Sequence, residues 1–220
     1  MKIGIIGSGN MGRVLGLLMA ESGHQVRFGS RRPEQAEHAA SLATRNAQPA
    51  SLQGAAEFGE VLVYTVRDTD PAKVLENTDA VAGKTVIDCN NWDIPADFAY
   101  APIEVSLAEK LQTQIPTAHV VKSWNTLAQE VFEHCPNGTR EHRIANFICG
   151  DHPEARRTAA RLSDEMGFDT IDCGPLVRAR LIEGQADFIR LLLIQPIRRN
   201  AAFAIPAVPA VDAPRFGERL

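Results

Sequence analysis

Ile3-Gly4-Ile5-Ile6-Gly7-Ser8-Gly9-Asn10-Met11-Gly12 runs a short apolar stretch into glycines spaced G-x-G-x-x-G, and Met11, Val14, Leu15, Leu18 and Met19 recur at helical spacing beyond it. The pattern predicts a strand, a tight turn and a helix. The first glycine permits the turn, the second lets bare backbone approach a pyrophosphate, and the third lets the helix pack close to its strand. Free N–H groups and the helix dipole suit an anion there. Gly23 ends the helix, and His24-Gln25-Val26-Arg27-Phe28 predicts a second strand. In that βαβ context Gly7, Ser8, Gly9, Asn10, Met11 and Gly12 form a candidate dinucleotide cradle.

The end of the second strand is where a carboxylate would hold the two ribose hydroxyls of NAD. The chain reads Gly29-Ser30-Arg31-Arg32 instead. Guanidinium forks match the oxygens of a 2′-phosphate and the Ser30 hydroxyl can add a further bond, so Ser30, Arg31 and Arg32 point to NADP(H). The plainer reading is a solvated basic start to a helix, with Pro33 in its first turn.

Outward from this entry, strand and helix patterns keep alternating. A loop around Asn46 to Pro49 leads to a short helix and a buried strand over Glu60–Val66; Asp70-Pro71 starts a helix; Lys84–Asn91 forms a strand; and Ser106-Leu107-Ala108-Glu109 is a capping box. Ala118–Lys122 is the next strand. After the turn cluster Cys135–Gly138, a strand over Asn146–Gly150, an N-cap at Asp151, a helix over Pro153–Met166, a strand over Thr170–Cys173 and a long helix over Leu176–Leu193 are predicted. The expected fold is α/β: a Rossmann-type, doubly wound parallel sheet with a small C-terminal α/β extension ending in a long helix. Residues 1–137 are expected to form the NADP-binding domain. Residues 138–220 would form a small domain for acceptor binding and dimerisation.

In such a sheet ligands lie at the carboxyl ends of the strands. That rule selects Thr65 and Val66 along the dinucleotide, Asn90 beside the nicotinamide ribose, and Trp124, Asn125 and Thr126 facing an acceptor. Each has a bland reading: a turn for Asn90, core packing for Trp124, a helix cap for Thr126. His119 reads as a core histidine. Asp88, His119 and Lys122 are not read as a triad, because no nucleophile elbow accompanies them. Hydride transfer needs positioning rather than a protein nucleophile, so no catalytic residue is expected.

The 220-residue chain has a formal net charge of −4, which argues against a broad nucleic-acid surface. No apolar run reaches the roughly 20 residues of a membrane span. Its four cysteines, Cys89, Cys135, Cys149 and Cys173, show no C-x-x-C pair, and neither a metal site nor a disulfide is expected. A reduced, cytoplasmic setting fits. Pro206, Pro209 and Pro214 lie in an apolar tail that suits docking on a partner subunit.

The opening twelve residues, Gly29-Ser30-Arg31-Arg32, Cys149-Gly150-Asp151, Asp172-Cys173-Gly174-Pro175-Leu176 and Arg180-Leu181-Ile182-Glu183 together resemble the F420-dependent NADP oxidoreductases. The resemblance implies a Rossmann domain with a small C-terminal part, a homodimer, and hydride transfer between NADP(H) and an acceptor. It differs from reductases of coenzyme F420 proper at Thr65-Val66-Arg67-Asp68 and at Lys122-Ser123-Trp124-Asn125-Thr126-Leu127. The Lys-x-x-Asn-Thr form is similar to broader bacterial relatives, which leaves deazaflavin F420, a flavin or a small imine as the acceptor. Two alternatives stand beside it: an imine reductase resembling pyrroline-5-carboxylate reductase, and a non-catalytic NADPH-sensing protein.

Overall fold

The structure, a computed structural model, describes residues 1–43, 45–68, 70–97, 99–194 and 201–207. β1 (Lys2–Ile6), with Ile3, Ile5 and Ile6 wholly buried, passes into α1 (Asn10–Glu21) and returns as β2 (Gln25–Gly29). α2 (Pro33–Ser41) begins on a proline, whose missing N–H is one the first turn leaves unpaired anyway. Where a loop is expected over Asn46 to Pro49, the chain instead forms β3 (Ala47–Ala50), parallel to β2. It is an edge strand, the one place in a sheet that accepts a proline such as Pro49.

α3 (Leu52–Phe58) is capped by Ser51, whose Oγ accepts from the Gly54 N–H at 3.0 Å, and β4 (Val61–Tyr64) follows with all four residues buried. The helix expected from Pro71 is only a 3₁₀ turn, Pro71–Lys73, capped by Asp70. Asn77 caps a second such turn, Thr78–Val81. Next come β5 (Thr85–Asp88), α4 (Leu107–Gln114) with the expected Ser106–Glu109 capping box, and β6 (His119–Lys122). α5 (Gln129–Phe132) and α6 (Asn137–Glu141) are short; β7 (Ala145–Gly150), α7 (Pro153–Glu165), β8 (Asp169–Asp172) and α8 (Ala179–Leu193) complete the described elements. The N-cap of α7 is His152 rather than Asp151, because the Asp151 carboxylate is used elsewhere, accepting from the Leu176 N–H at 2.9 Å.

The strands form one eight-stranded sheet in the order β3-β2-β1-β4-β5-β6-β7-β8. The first six are parallel in the doubly wound order, β7 is antiparallel to β6, and β8 is parallel to β7. The boundary expected at residue 137 therefore falls at the start of α6, and the segments on either side contribute to the same sheet. One apolar layer joins Leu15, Met19, Phe28, Trp124, Phe132 and Leu162; the other joins Leu62, Val86, Leu111, Phe147, Leu176 and Ile182 on the opposite face. α8 closes the second layer, through Ile182. Among the described residues no helix is long and apolar enough to cross a membrane. Most of the apolar tail expected to dock on a partner, including Pro209 and Pro214, lies outside the described residues.

Candidate functional site

The order of strands reverses between β1 and β4, so the loops after them diverge and open a crevice at their carboxyl ends. Gly7 turns the chain there with φ of +109°, a conformation that side chains rarely adopt. Its N–H donates to Gly29 O at 3.1 Å, and the buried Ser8 hydroxyl donates to the same carbonyl at 2.9 Å. Behind the turn the Thr65 hydroxyl donates to Gly7 O at 2.6 Å. Ser8 and Thr65 thus shape the loop, and their hydroxyls are spent on backbone.

Gly12 packs so closely that a Cβ there would lie 1.9 Å from Gly7 O, whereas a Cβ on Gly9 would meet nothing within 4 Å. The third glycine faces the protein and the second faces open space. α1 begins at Asn10 with no side-chain cap and no acidic residue in its first turn, so its leading N–H groups remain available to an anion. Asn10 is exposed and Met11 half-buried at this mouth.

Ser30 is engaged within the protein. Its hydroxyl donates to Gln35 Oε1 at 3.1 Å and accepts from the Arg32 N–H at 3.1 Å, which pins the start of α2. Arg31 and Arg32 are exposed, and among the described residues neither guanidinium is paired with a carboxylate. Arg31 borders a cleft of 480 Å³ between the start of α2 and the β3–α3 turn.

A second cavity, of 420 Å³, begins at Gly9–Gly12 and is lined further by Thr65, Asn90, Asn91 and Trp124–Thr126, with Ala186, Ile189, Arg190 and Leu193 of α8 across from them. One space therefore collects Gly9–Gly12 and, of the residues expected along the dinucleotide and at the nicotinamide and acceptor positions, Thr65, Asn90, Trp124, Asn125 and Thr126 but not Val66. Val66 acts through its carbonyl, which accepts from Asn90 Nδ2 at 2.9 Å. That amide nitrogen also reaches Tyr64 O at 3.3 Å and Asp88 Oδ1 at 2.8 Å, so the protein fixes the Asn90 side chain through its nitrogen rather than through Oδ1.

The turn after β6 is held in an uncommon shape. Trp124 is fully buried with φ of +56°, and its N–H donates to the Asn146 side-chain oxygen at 2.9 Å. The Asn146 amide in turn donates to the Ser123 and Ser163 hydroxyls, both at 2.9 Å. The Trp124 ring belongs to the core layer and contributes one wall to the cavity. Asn125 and Asn91 exchange amide bonds, Asn125 Nδ2 to Asn91 Oδ1 at 2.9 Å and Asn91 Nδ2 to Asn125 O at 2.6 Å. Trp124 Nε1, Asn125 Oδ1 and Thr126 Oγ1 are buried without a hydrogen-bond partner. Buried polar atoms are ordinarily paired, and these three lie in consecutive residues.

Residues that sequence reasoning passed over complete the walls. Arg67 pairs with Asp93 at the rim, and Arg190 bonds Trp92 O at 2.7 Å and Asp187 at 3.2 Å. His119 lies away from the cavity, half-buried and stacked on His152 at 3.9 Å; burial, and then the neighbouring ring, lower its pKa. Burial pushes the Cys89 thiol well above its ordinary pKa and the Cys149 thiol up to about 12, which leaves both without nucleophilic character. Among the described residues no cluster of His, Cys, Asp or Glu could hold a metal ion.

Fold and site together define a Rossmann-type dinucleotide-binding protein. Residues 2–92 match the family model described as NADP oxidoreductase, coenzyme F420-dependent. The F420-dependent NADP reductase of Methanothermobacter marburgensis is 28% identical over 95% of this chain and 100% of its own. The metalloreductase STEAP3 of Rattus norvegicus is 31% identical over 83% of this chain, which spans about a third (36%) of that relative's length. A crystal structure from Arthrobacter sp. FB24, provisionally assigned as an F420-dependent NADP reductase, superposes with a TM-score of 0.80 over 94% of this chain and 100% of its own, at 23% identity. At that identity the likeness shows the fold.

Proposed function

We propose that the chain transfers a hydride between NADP(H) and a deazaflavin, coenzyme F420, or a flavin-like acceptor. One observation carries this reading: a single cavity leads from the bare glycine loop, past Asn90, to the buried Trp124–Thr126 turn and α8. The open face of Gly9 and the uncapped start of α1 hold the pyrophosphate, and Arg31 and Arg32 hold the 2′-phosphate. When bound, the dinucleotide supplies the hydride chemistry; the protein supplies placement and a dry space. Asn90 offers its side-chain oxygen to the ribose end, and Asn125 and Thr126 offer unpaired polar atoms to the ring and its acceptor. Trp124, Leu127, Ile189 and Leu193 exclude water.

The family-model match and the 28% identity to an F420-dependent NADP reductase along its whole length support the deazaflavin reading. In this reading residues 138–220 provide the acceptor wall through α8. A homodimer contact on the same helix is consistent with Leu181 and Phe188, which are 72% and 53% exposed. Free, high-pKa thiols fit a reducing, cytoplasmic setting.

The test is stopped-flow oxidation of NADPH and NADH against F420, FMN, FAD, ferric chelates and cyclic imines. Rapid oxidation of NADPH by F420 or a flavin, with NADH much slower, is the expected result. Turnover confined to cyclic imines would replace the reading with imine reduction. Tight NADPH binding without oxidation by any acceptor would make the chain a sensor.

A further inference from the structure

A charged cluster sits beneath this cavity without touching it. Lys122 of β6 is wholly buried, and Asp88 of β5 and Glu183 of α8 are each 1% exposed. The ammonium donates to Asp88 Oδ2 at 2.7 Å, pairs with Glu183 Oε1 at 2.8 Å, and donates to the backbone carbonyl of Asn90. Its three N–H groups are thereby used. The other Asp88 oxygen accepts the Asn90 N–H at 3.1 Å and Asn90 Nδ2 at 2.8 Å. Glu183 accepts from the Leu107 and Ala108 N–H groups at 3.0 and 3.3 Å, at the first turn of α4, where the helix dipole favours a carboxylate.

Ordinary stability does not account for this arrangement. Apolar residues of similar volume often serve a core as well as a buried ion cluster or better, because desolvation consumes most of the Coulombic gain. What the cluster does instead is geometric. It ties the end of β5, the end of β6, α4 and α8 to one nitrogen atom, and two of its three members grip Asn90.

We propose that Lys122 is a positioning residue for the dinucleotide site: with Asp88 and Glu183 it turns the Asn90 side chain toward the cavity and docks α8 across from it. None of the three side chains lines the cavity, so the cluster acts through Asn90 and α8 rather than on a ligand. The inference rests on the reading that NADP occupies the glycine loop and this cavity. It assigns the cluster to the nicotinamide half of the ligand alone, because the adenosine half lies against α2 and the β3–α3 turn, which the cluster does not touch.

That division gives a test by calorimetric titration of NADP+ and of 2′,5′-ADP, which carries the adenosine and 2′-phosphate but no nicotinamide. The proteins are wild type, Lys122→Met, Asp88→Asn and Glu183→Gln, each first checked for folding by circular dichroism. In the variants the Kd for NADP+ should rise about tenfold, the loss of one well-placed polar contact, while that for 2′,5′-ADP stays within about twofold. If Lys122→Met fails to fold, the near-isosteric carboxylate variants carry the comparison. Wild type that binds neither ligand, or only 2′,5′-ADP, would refute the reading of the cavity and with it the ground for the inference. Wild type that binds both, with variants that lose both equally, lose neither, or all fail to fold, would show that the cluster merely holds the fold together.

Discussion

Gly9 and Gly12 stand three residues apart in one loop, yet their substitution should act on different quantities. An alanine Cβ at 12 would lie 1.9 Å from Gly7 O and 2.9 Å from both Ile5 Cγ2 and Thr65 Oγ1, far inside the 3.4 Å at which ordinary contact begins. Neither the carbonyl nor the strand can yield easily: Gly7 O is gripped by Thr65, and Ile5 is wholly buried in a central strand. Gly12→Ala should therefore cost about 2 kcal/mol or more, the scale of overpacking a tight core, and lower Tm by roughly 4–8 °C for a chain of this size. At position 9 the backbone is extended, φ −72° and ψ −167°, with nothing within 4 Å of an added Cβ. Alanine there gains a few tenths of a kcal/mol to about 1 kcal/mol from a stiffer unfolded chain and loses a similar amount as a poorer helix cap, so Tm should stay within roughly 2 °C. The added methyl nevertheless occupies the face that a pyrophosphate must reach. Loss of a charge-assisted hydrogen bond of about 1.5–3 kcal/mol raises the NADPH Kd about 10- to 100-fold. Differential scanning fluorimetry reads both effects. With NADPH at a hundredfold excess over the wild-type Kd, wild type gains about 2.7 kcal/mol, whereas Gly9→Ala with a hundredfold weaker Kd gains only about 0.4 kcal/mol. A Gly9→Ala protein that melts as early as Gly12→Ala, or that keeps the full NADPH-induced rise, would refute the assignment of the open face to phosphate.

Replacing both Arg31 and Arg32 by alanine should weaken NADPH at least about tenfold and change NADH less than about twofold in equilibrium titrations, since only NADPH carries the 2′-phosphate; equal weakening of both would defeat the arginine argument. Thr126→Val removes a buried hydroxyl that has no partner, so Tm should hold or rise slightly while the KM for the acceptor rises several-fold; a fall in Tm of more than about 4 °C would show that the hydroxyl is structurally bonded. Glu109 is held at about 2, chiefly by its hydrogen bonds to Arg180, against an ordinary value of 4.5. A depressed carboxyl contributes stability that is complete above its unfolded pKa and is lost as pH falls through the folded one. The Tm difference between wild type and Glu109→Gln should accordingly be full at pH 7 and shrink between about pH 4.5 and about pH 2; a difference that does not change with pH would place the effect in packing instead.

How far this molecule is legible in its residues depends on how local the determining interaction is. β1, the glycine loop, α1 and β2 are readable because each signal, apolar run, glycine spacing, helical periodicity and terminating Gly23, acts within a few residues of itself. β3 is not, because Ala47–Ala50 has two exposed residues, one of them a proline, and becomes a strand only by pairing with β2 along an edge. At the site, the rule of strand ends selects Thr65, Asn90 and the Trp124–Thr126 turn, all of which line the cavity. It cannot say which atoms are free. The Ser8, Ser30 and Thr65 hydroxyls all look available in the sequence, and all are consumed within the protein. The Lys122 cluster is a mixed case. Glu183 reaches it from α8, and nothing near Glu183 in the chain announces that. Asp88 and Lys122, however, each close an apolar strand pattern, and adjacent parallel strands bring such ends together; the two are direct partners in the β5–β6 register. Opposite charges at matching ends of neighbouring buried strands, where either alone would carry a large desolvation cost, constitute a pairing signal that needs no coordinates. The absence of a nucleophile elbow argues against a hydrolytic triad, but it does not remove the physical demand that a buried lysine and a buried aspartate find each other.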